Sequence, residues 1–242
     1  MIERLHAIVI RIVKHNDKIQ IADVLTKEHG RMSFAIPAGS KNSRKGSSRV
    51  MWRPLAMLEF DVTLAGQSKL PHPKDVRVYY PYADIPYNPL KSMVAMFAGE
   101  MLAGTLWTEQ PDPALFAFVE HSFQTLDSMQ SGFANFPMAF AVLFLKYLGI
   151  QPSDDRVGTE PYFDLQAAEY VDFPPSHDNY LRDGDARQVG TFLRMNYDNM
   201  HCFRMNRPQR RRALEIINDY YRIHVPDFRR MKSLEIFADA LS

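Results

Sequence analysis

The sequence predicts an α+β chain in two parts: a five-stranded antiparallel barrel over residues 1–80 and an all-helical domain over residues 81–242. Three observations carry this prediction. Apolar and polar residues alternate with period two as far as Tyr80, the spacing of half-buried strands. Pro81, Pro86 and Pro89 then interrupt the alternation. Beyond them, apolar residues fall in longer runs opened by Asn-Pro or Asp-Pro, a pairing that starts helices because Asn and Asp cap while proline is tolerated in the first turn.

The strands follow in order. Residues 7–13 (AIVIRIV) are rich in β-branched side chains. Asn16-Asp17 forms a turn before a strand at 18–25, and His29-Gly30 a turn before one at 31–36. Leu58, Phe60, Val62 and Leu64 alternate with Glu59, Asp61 and Thr63, and Val76, Val78 and Tyr80 with Arg77 and Tyr79. Five short strands of this kind make a small closed or partly closed barrel. The OB-fold is the common five-stranded version, and its surface takes oligonucleotides in many proteins.

Helices are predicted from Asn88-Pro89 to about Trp107, from Asp112-Pro113 to about Leu126, and over 136–148 with Gly149 as the stop. Residues 151–186 are polar and proline-rich and read as irregular. A short helix at 188–197, a longer one from Pro208 through Ile223, and a last one capped by Ser233 and running to Leu241 complete the chain. No internal repeat is visible.

Composition limits the function. With 242 residues and 46% hydrophobic content, a packed core is expected. Net charge is +1, so attraction to a polyanion must come from local clusters. Cys202 is the only cysteine, which excludes an intrachain disulfide and a cysteine zinc site, in keeping with a reducing compartment. The first residues lack the apolar core of a signal peptide. The most apolar run, 136–150, is broken by Pro137 and Lys146 and falls short of the ~20 residues that span a bilayer.

Catalytic signatures are weak. His201-Cys202 are sequence neighbours, and adjacent side chains point apart, so adjacency makes no dyad. Ser176-His177-Asp178 has the letters of a triad, but triads assemble in space, and a turn is the plainer reading. The eight histidines follow no metal-binding spacing, and no glycine-rich phosphate loop is present. The chain is therefore expected to be no enzyme and to need no cofactor or metal.

Two basic clusters remain. Lys41, Arg44, Lys45, Arg49 and Arg53 place five cations and no acid within positions 41–53, in a Gly- and Ser-containing loop between strands. Such a loop is either a solvated linker or a phosphate-binding surface. Arg204, Arg207, Arg210, Arg211 and Arg212 crowd the start of a helix, where the dipole disfavours cations. Either acidic side chains or a bound phosphate would compensate there. Trp52 is the aromatic best placed for base stacking, with burial as the other reading. Phe34 and Phe60 point inward by strand alternation, and Tyr79 and Tyr80 complete the aromatic set.

In the N-terminal half, residues 7–13, the run ADVLTKEHG at 22–30, Ala38-Gly39 ahead of the basic loop, and Ser48-Arg49 leading to Arg53-Pro54-Leu55 form an ordered series. In the C-terminal half, LFLKYLGIQP at 143–152, DYYRIHVPDF at 219–228 and KSLE at 232–235 continue it. On these segments the chain resembles the RecO family of bacterial DNA repair and recombination mediators. The resemblance implies an N-terminal OB-fold, a helical C-terminal domain, binding of single- and double-stranded DNA, and annealing of complementary strands. It also implies two protein partners, RecR and the acidic, Phe-ending tail of single-stranded DNA-binding protein (SSB). The family's role is to help load RecA on SSB-coated strands in the RecF pathway, without ATP, in the bacterial cytoplasm at the nucleoid. Some members bind zinc through four cysteines in the irregular segment. Residues 155–165 occupy that place here without a cysteine, so no structural zinc is expected, and Tyr162, Phe163 and Leu165 would hold the segment by packing.

On this reading Lys41, Arg44, Lys45, Arg49 and Arg53 would neutralise one strand, with Arg31 added if it faces the same groove. Arg207, Arg210, Arg211 and Arg212 would meet a second strand. Lys146 and Arg204 are candidates for the rim of an SSB-tail pocket. The rival readings are a protein-binding adaptor with no DNA contact and an enzyme with an unrecognised site.

Overall fold

A computed structural model describes residues 2–38, 51–64, 70–107, 109–153 and 161–234. The chain forms two compact units, 1–128 and 129–242.

The first unit is built on a five-stranded antiparallel sheet. Its strands are β1 (Ile2–Lys14), β2 (Ile19–Thr26), β3 (Gly30–Pro37), β4 (Met57–Thr63) and β5 (Lys74–Tyr80), in the order β3-β2-β1-β4-β5. On one face Leu5, Ala7, Val9, Ala22, Val24, Phe34, Leu58, Phe60 and Val62 form the core. Phe34 and Phe60 meet edge to face at 5.0 Å, and Trp52 packs on Phe60 at 5.6 Å. Trp52 is only 6% exposed, so burial and not base stacking is its fate. β1 is central and buried on both faces, Ile8 and Ile10 included. A register shift between Val9 and Arg11 lets it serve both β2 and β4.

The expected barrel is not closed. β3 and β5 are the two edges of an open ladder. The Ala35 N–H donates to the Pro71 carbonyl at 3.0 Å, joining β3 to the segment ahead of β5. Pro71 and Pro73 carry no N–H, so this approach cannot develop into a strand pairing.

Two helices complete the unit. α1 (Pro89–Thr105) packs on β1, and α2 (Pro113–Ser128) packs on α1. The Asn88 side chain accepts from the Leu90 and Lys91 amides, and Asp112 accepts from the Leu115 amide at 2.9 Å. The linker after β5 is fixed by Asp127, whose carboxylate accepts from the amides of Ala83, Asp84 and Ile85 at 2.8–2.9 Å. Lys91, with no exposed side-chain surface, reaches the Asp84 carboxylate at 2.7 Å and the Asp127 carbonyl at 2.8 Å. The prolines thus mark a linker, but buried hydrogen bonds make it a fixed one.

The second unit departs from the all-helical expectation. A 3-10 turn (Phe133–Asn135) leads into α3 (Phe136–Tyr147). A small antiparallel sheet follows, made of β6 (Tyr162–Asp164), β7 (Glu169–Val171) and β8 (Tyr180–Arg182) in the order β7-β6-β8. α4 (Asp183–Leu193), a second 3-10 turn (Met200–Cys202) and α5 (Arg207–His224) complete it. The stretch read as irregular therefore holds a sheet and the start of a helix. Each strand is only three residues long, too short for alternation to register. Phe163 and Leu165 are buried, with Phe163 edge-on to Tyr170 at 5.0 Å. Residues 154–160 and the expected last helix beyond Leu234 lie outside the described residues. In the core, Phe136, Phe140 and Phe144 stack along α3, and the Tyr221 hydroxyl donates to the Ala141 carbonyl at 2.7 Å.

Candidate nucleic-acid interface

The basic segment lies between β3 and β4 in the sequence. Lys41, Arg44, Lys45 and Arg49 lie outside the described residues; Arg53 lies within them and is exposed. Its turn is pinned to the sheet: the Ala56 amide donates to the Arg53 carbonyl at 3.0 Å, and the Leu55 amide donates to the Val9 carbonyl at 2.6 Å. Leu55 has φ 66°, a left-handed conformation held by that bond and by the Tyr82 hydroxyl on the Leu55 carbonyl. Arg53 thus projects from a fixed rim.

Arg31 is placed differently. Its side chain is 11% exposed and pairs with Asp23 at 3.0 Å. It also donates to the Leu106 carbonyl, and its guanidinium lies 5.0 Å from the centre of the Trp107 ring. Asp23 further accepts from Arg11 at 2.6 Å and from the Ser33 hydroxyl at 2.6 Å. Burial pushes the Asp23 carboxyl up, but the bonds from Ser33, Arg11 and Arg31 outweigh burial and hold it below the usual carboxylate range. Two guanidiniums share one carboxylate, leaving the cluster one positive charge in excess.

The cluster follows from strand register. Arg11 pairs with Asp23, and Asp23 with Ser33, across β1, β2 and β3. Sequence reasoning singled out Arg31 but missed Arg11, Asp23 and Trp107. Alternation could place Arg11 and Asp23 on one face, yet nothing in the sequence brings Trp107 beside a residue 76 positions earlier.

Of the aromatic candidates, Phe34, Trp52 and Phe60 are buried, while Tyr79 and Tyr80 are half-buried. Phe34 and Phe60 face the core, and the Tyr79 hydroxyl donates to Glu120 at 2.6 Å. Burial first, then that bond, pushes the Tyr79 phenol well above its ordinary value.

In the second unit, α5 starts with a capping box: Asn206 accepts from the Gln209 amide at 3.0 Å while the Gln209 side chain accepts from the Asn206 amide at 2.8 Å. Arg207 is exposed. Arg210 donates to the Met205 carbonyl at 2.6 Å. Arg211 pairs with Glu215 at 3.2 Å, and Arg212 with Asp185 at 2.7 Å and Glu215 at 3.6 Å. Acidic side chains therefore answer Arg211 and Arg212.

A small apolar cleft, about 30 Å³, lies in the same unit, lined by Val142, Leu145, Phe163, Val189, Ile216 and Tyr220 among others. Lys146 is exposed four residues after Val142 on α3, and Arg204 is exposed ahead of α5. The Cys202 thiol lies 3.3 Å from His201 and both are exposed. His177 meets Asp164 at 3.4 Å, and Asp164 accepts from the Gln166 and Ala167 amides to build a turn. Among the described residues, no three His, Cys, Asp or Glu side chains are grouped to hold a metal, and no helix is long and apolar enough to cross a membrane.

Residues 1–82 match the family model described as "Recombination protein O N terminal", and residues 86–235 the one described as "Recombination protein O C terminal". The chain is 37% identical over 243 residues, covering 100% of both chains, to a protein of Phocaeicola vulgatus named DNA repair protein RecO. Proteins of the same name from Bacteroides fragilis and Porphyromonas gingivalis are 35% and 31% identical, over 99% and 96% of each chain.

Proposed function

The chain belongs to the RecO family, and on that premise we propose that it is a non-catalytic DNA repair and recombination mediator. It binds single- and double-stranded DNA, anneals complementary strands, and with RecR helps load RecA on SSB-coated strands at the nucleoid. The observation that carries this reading is the match of both family models along the chain, together with end-to-end likeness to proteins named for DNA repair. The N-terminal sheet is compatible with an OB-type surface even without closure of the ladder.

Annealing needs two strands held close while their repulsion is neutralised. Lysine and arginine do this through phosphate contacts, with no bond made or broken. Lys41, Arg44, Lys45, Arg49 and Arg53 are the proposed contacts for one strand. Arg207, Arg210, Arg211 and Arg212 are those for the second, with Arg207 exposed at the first position of α5, and with Arg211 and Arg212 having to exchange Glu215 and Asp185 for phosphate. Arg31 acts from within the sheet, through the cluster it forms with Asp23. For the SSB tail, an acidic peptide with a terminal aromatic ring, the apolar cleft supplies the right lining but would have to widen to admit the ring, and Lys146 and Arg204 remain the proposed cationic partners.

A fluorescence annealing assay with complementary oligonucleotides, with and without SSB, tests the proposal. The expected result is faster annealing by the full chain, retained on SSB-coated strands only when SSB has its tail. Unchanged annealing, with no salt-sensitive affinity for oligonucleotides, would instead identify a protein-binding adaptor.

A further inference from the structure

Trp107 is an anomaly of the first unit. It directly follows the Leu106 cap of α1, and 55% of its surface is exposed, while Trp52 is buried in the core. The ring is nevertheless held in place. Its indole N–H donates to the Gly104 carbonyl at 3.2 Å. Arg31 covers one face, with its guanidinium 5.0 Å from the ring centre. Arg31 is itself fixed by the Asp23 carboxylate and by the carbonyl of Leu106, the residue before the tryptophan. Nearby, Gly30 meets the Gln110 backbone so closely that a Cβ would lie 2.2 Å from its carbonyl oxygen, which locks the α1–α2 connection against the start of β3. A large aromatic ring is thus exposed and immobilised, backed by a cation, beside a cluster with one positive charge in excess. Arg11 is the exposed cation of that cluster, and so the one that can reach a phosphate.

We propose that Trp107 is a stacking platform for an unpaired base of single-stranded DNA, and that the Arg11–Asp23–Arg31 cluster holds the ring in place and attracts the strand's phosphates. The inference rests on the DNA-contact reading above and adds a defined base contact to it. Stacking accepts any base and needs the base out of a duplex, so the platform favours single strands over paired ones. The guanidinium on the inner face makes the pairing a sandwich of cation, indole and base, each layer already positioned before the strand arrives.

The test uses the full chain, an oligothymidylate, and a duplex of equal length. Trp52 is buried, so a quench of tryptophan emission on adding oligothymidylate reports Trp107 directly. The expected result is a saturable quench with oligothymidylate, and little with the duplex. Trp107→Phe should abolish the quench and keep affinity within about threefold, because the smaller ring still stacks. Trp107→Ala should weaken single-strand binding about tenfold while leaving duplex affinity as it was. Binding without a quench, or equal single-strand affinity in Trp107→Ala, would overturn the platform while leaving the DNA-contact reading intact. An equal loss for single strand and duplex would also overturn it. No binding of either DNA by the unaltered chain would remove both readings together.

Discussion

Single residues fix the first unit where its chain changes direction. Asp127 is 4% exposed and serves three successive amides. Asp127→Ala leaves those buried donors without their acceptor and should cost about 3 kcal/mol, read as a lower urea midpoint with an unchanged slope. Asp23 makes the complementary prediction about pH. Its folded pKa lies below the unfolded value of about 3.9, so its contribution is fully present above that value and is lost as pH falls through the folded pKa. The stability gap between the unaltered chain and Asp23→Asn should therefore be open at neutral pH and close in acid. An equal gap at both ends would show that the carboxylate's charge contributes nothing. Neither residue stands out by composition or spacing. Each matters through partners supplied by another segment, which no local pattern encodes.

Among the elements, the strands of the first sheet and helices α1, α2, α3 and α5 were legible because each is long enough to show its period or its cap. Asn88-Pro89 and Asp112-Pro113 announce helix starts, and both cap as expected. β6, β7 and β8 were not legible, since three residues cannot display alternation and their stability comes from packing Phe163 and Tyr170. His29-Gly30 was legible as a turn, but the tightness of Gly30 was not, because the neighbour is the Gln110 backbone. Gly30 has φ 69° and no room for a Cβ, whereas Gly149 has φ 68° and open space around it. Gly149→Ala should cost about 1 kcal/mol from backbone strain alone, and Gly30→Ala more than about 2 kcal/mol. Thermal melts of the two variants measure the difference, and equal costs would show that the close approach carries no energy.

For the whole molecule, near-neutrality decides how DNA can be held. A net charge of +1 gives no long-range field, so the proposed attraction for DNA rests on local clusters, the basic segment at 41–53 and the charged cluster beside Trp107 among them. Reversing Arg44 and Lys45 together should flatten the salt dependence of single-strand affinity by about 1.4 in log–log slope, at ~0.7 for each phosphate no longer neutralised. An unchanged slope across a salt series would remove the loop from the interface. The basic segment stands out in the sequence because its charge is local, but four of its five cations lie outside the described residues. The setting of Trp107 was not legible, because tertiary contacts alone bring Arg31 onto its ring. The open ladder of the first sheet bears on self-association. A strand edge left open is a template on which a second molecule can add and seed aggregation. Here β5 presents Lys74, Asp75 and Arg77 to solvent, and Pro71 and Pro73 sit on the approach to β3. Charged side chains line one edge, and on the other the Ala35 N–H is already taken by the Pro71 carbonyl, an arrangement that works against edge-to-edge pairing without sealing the sheet.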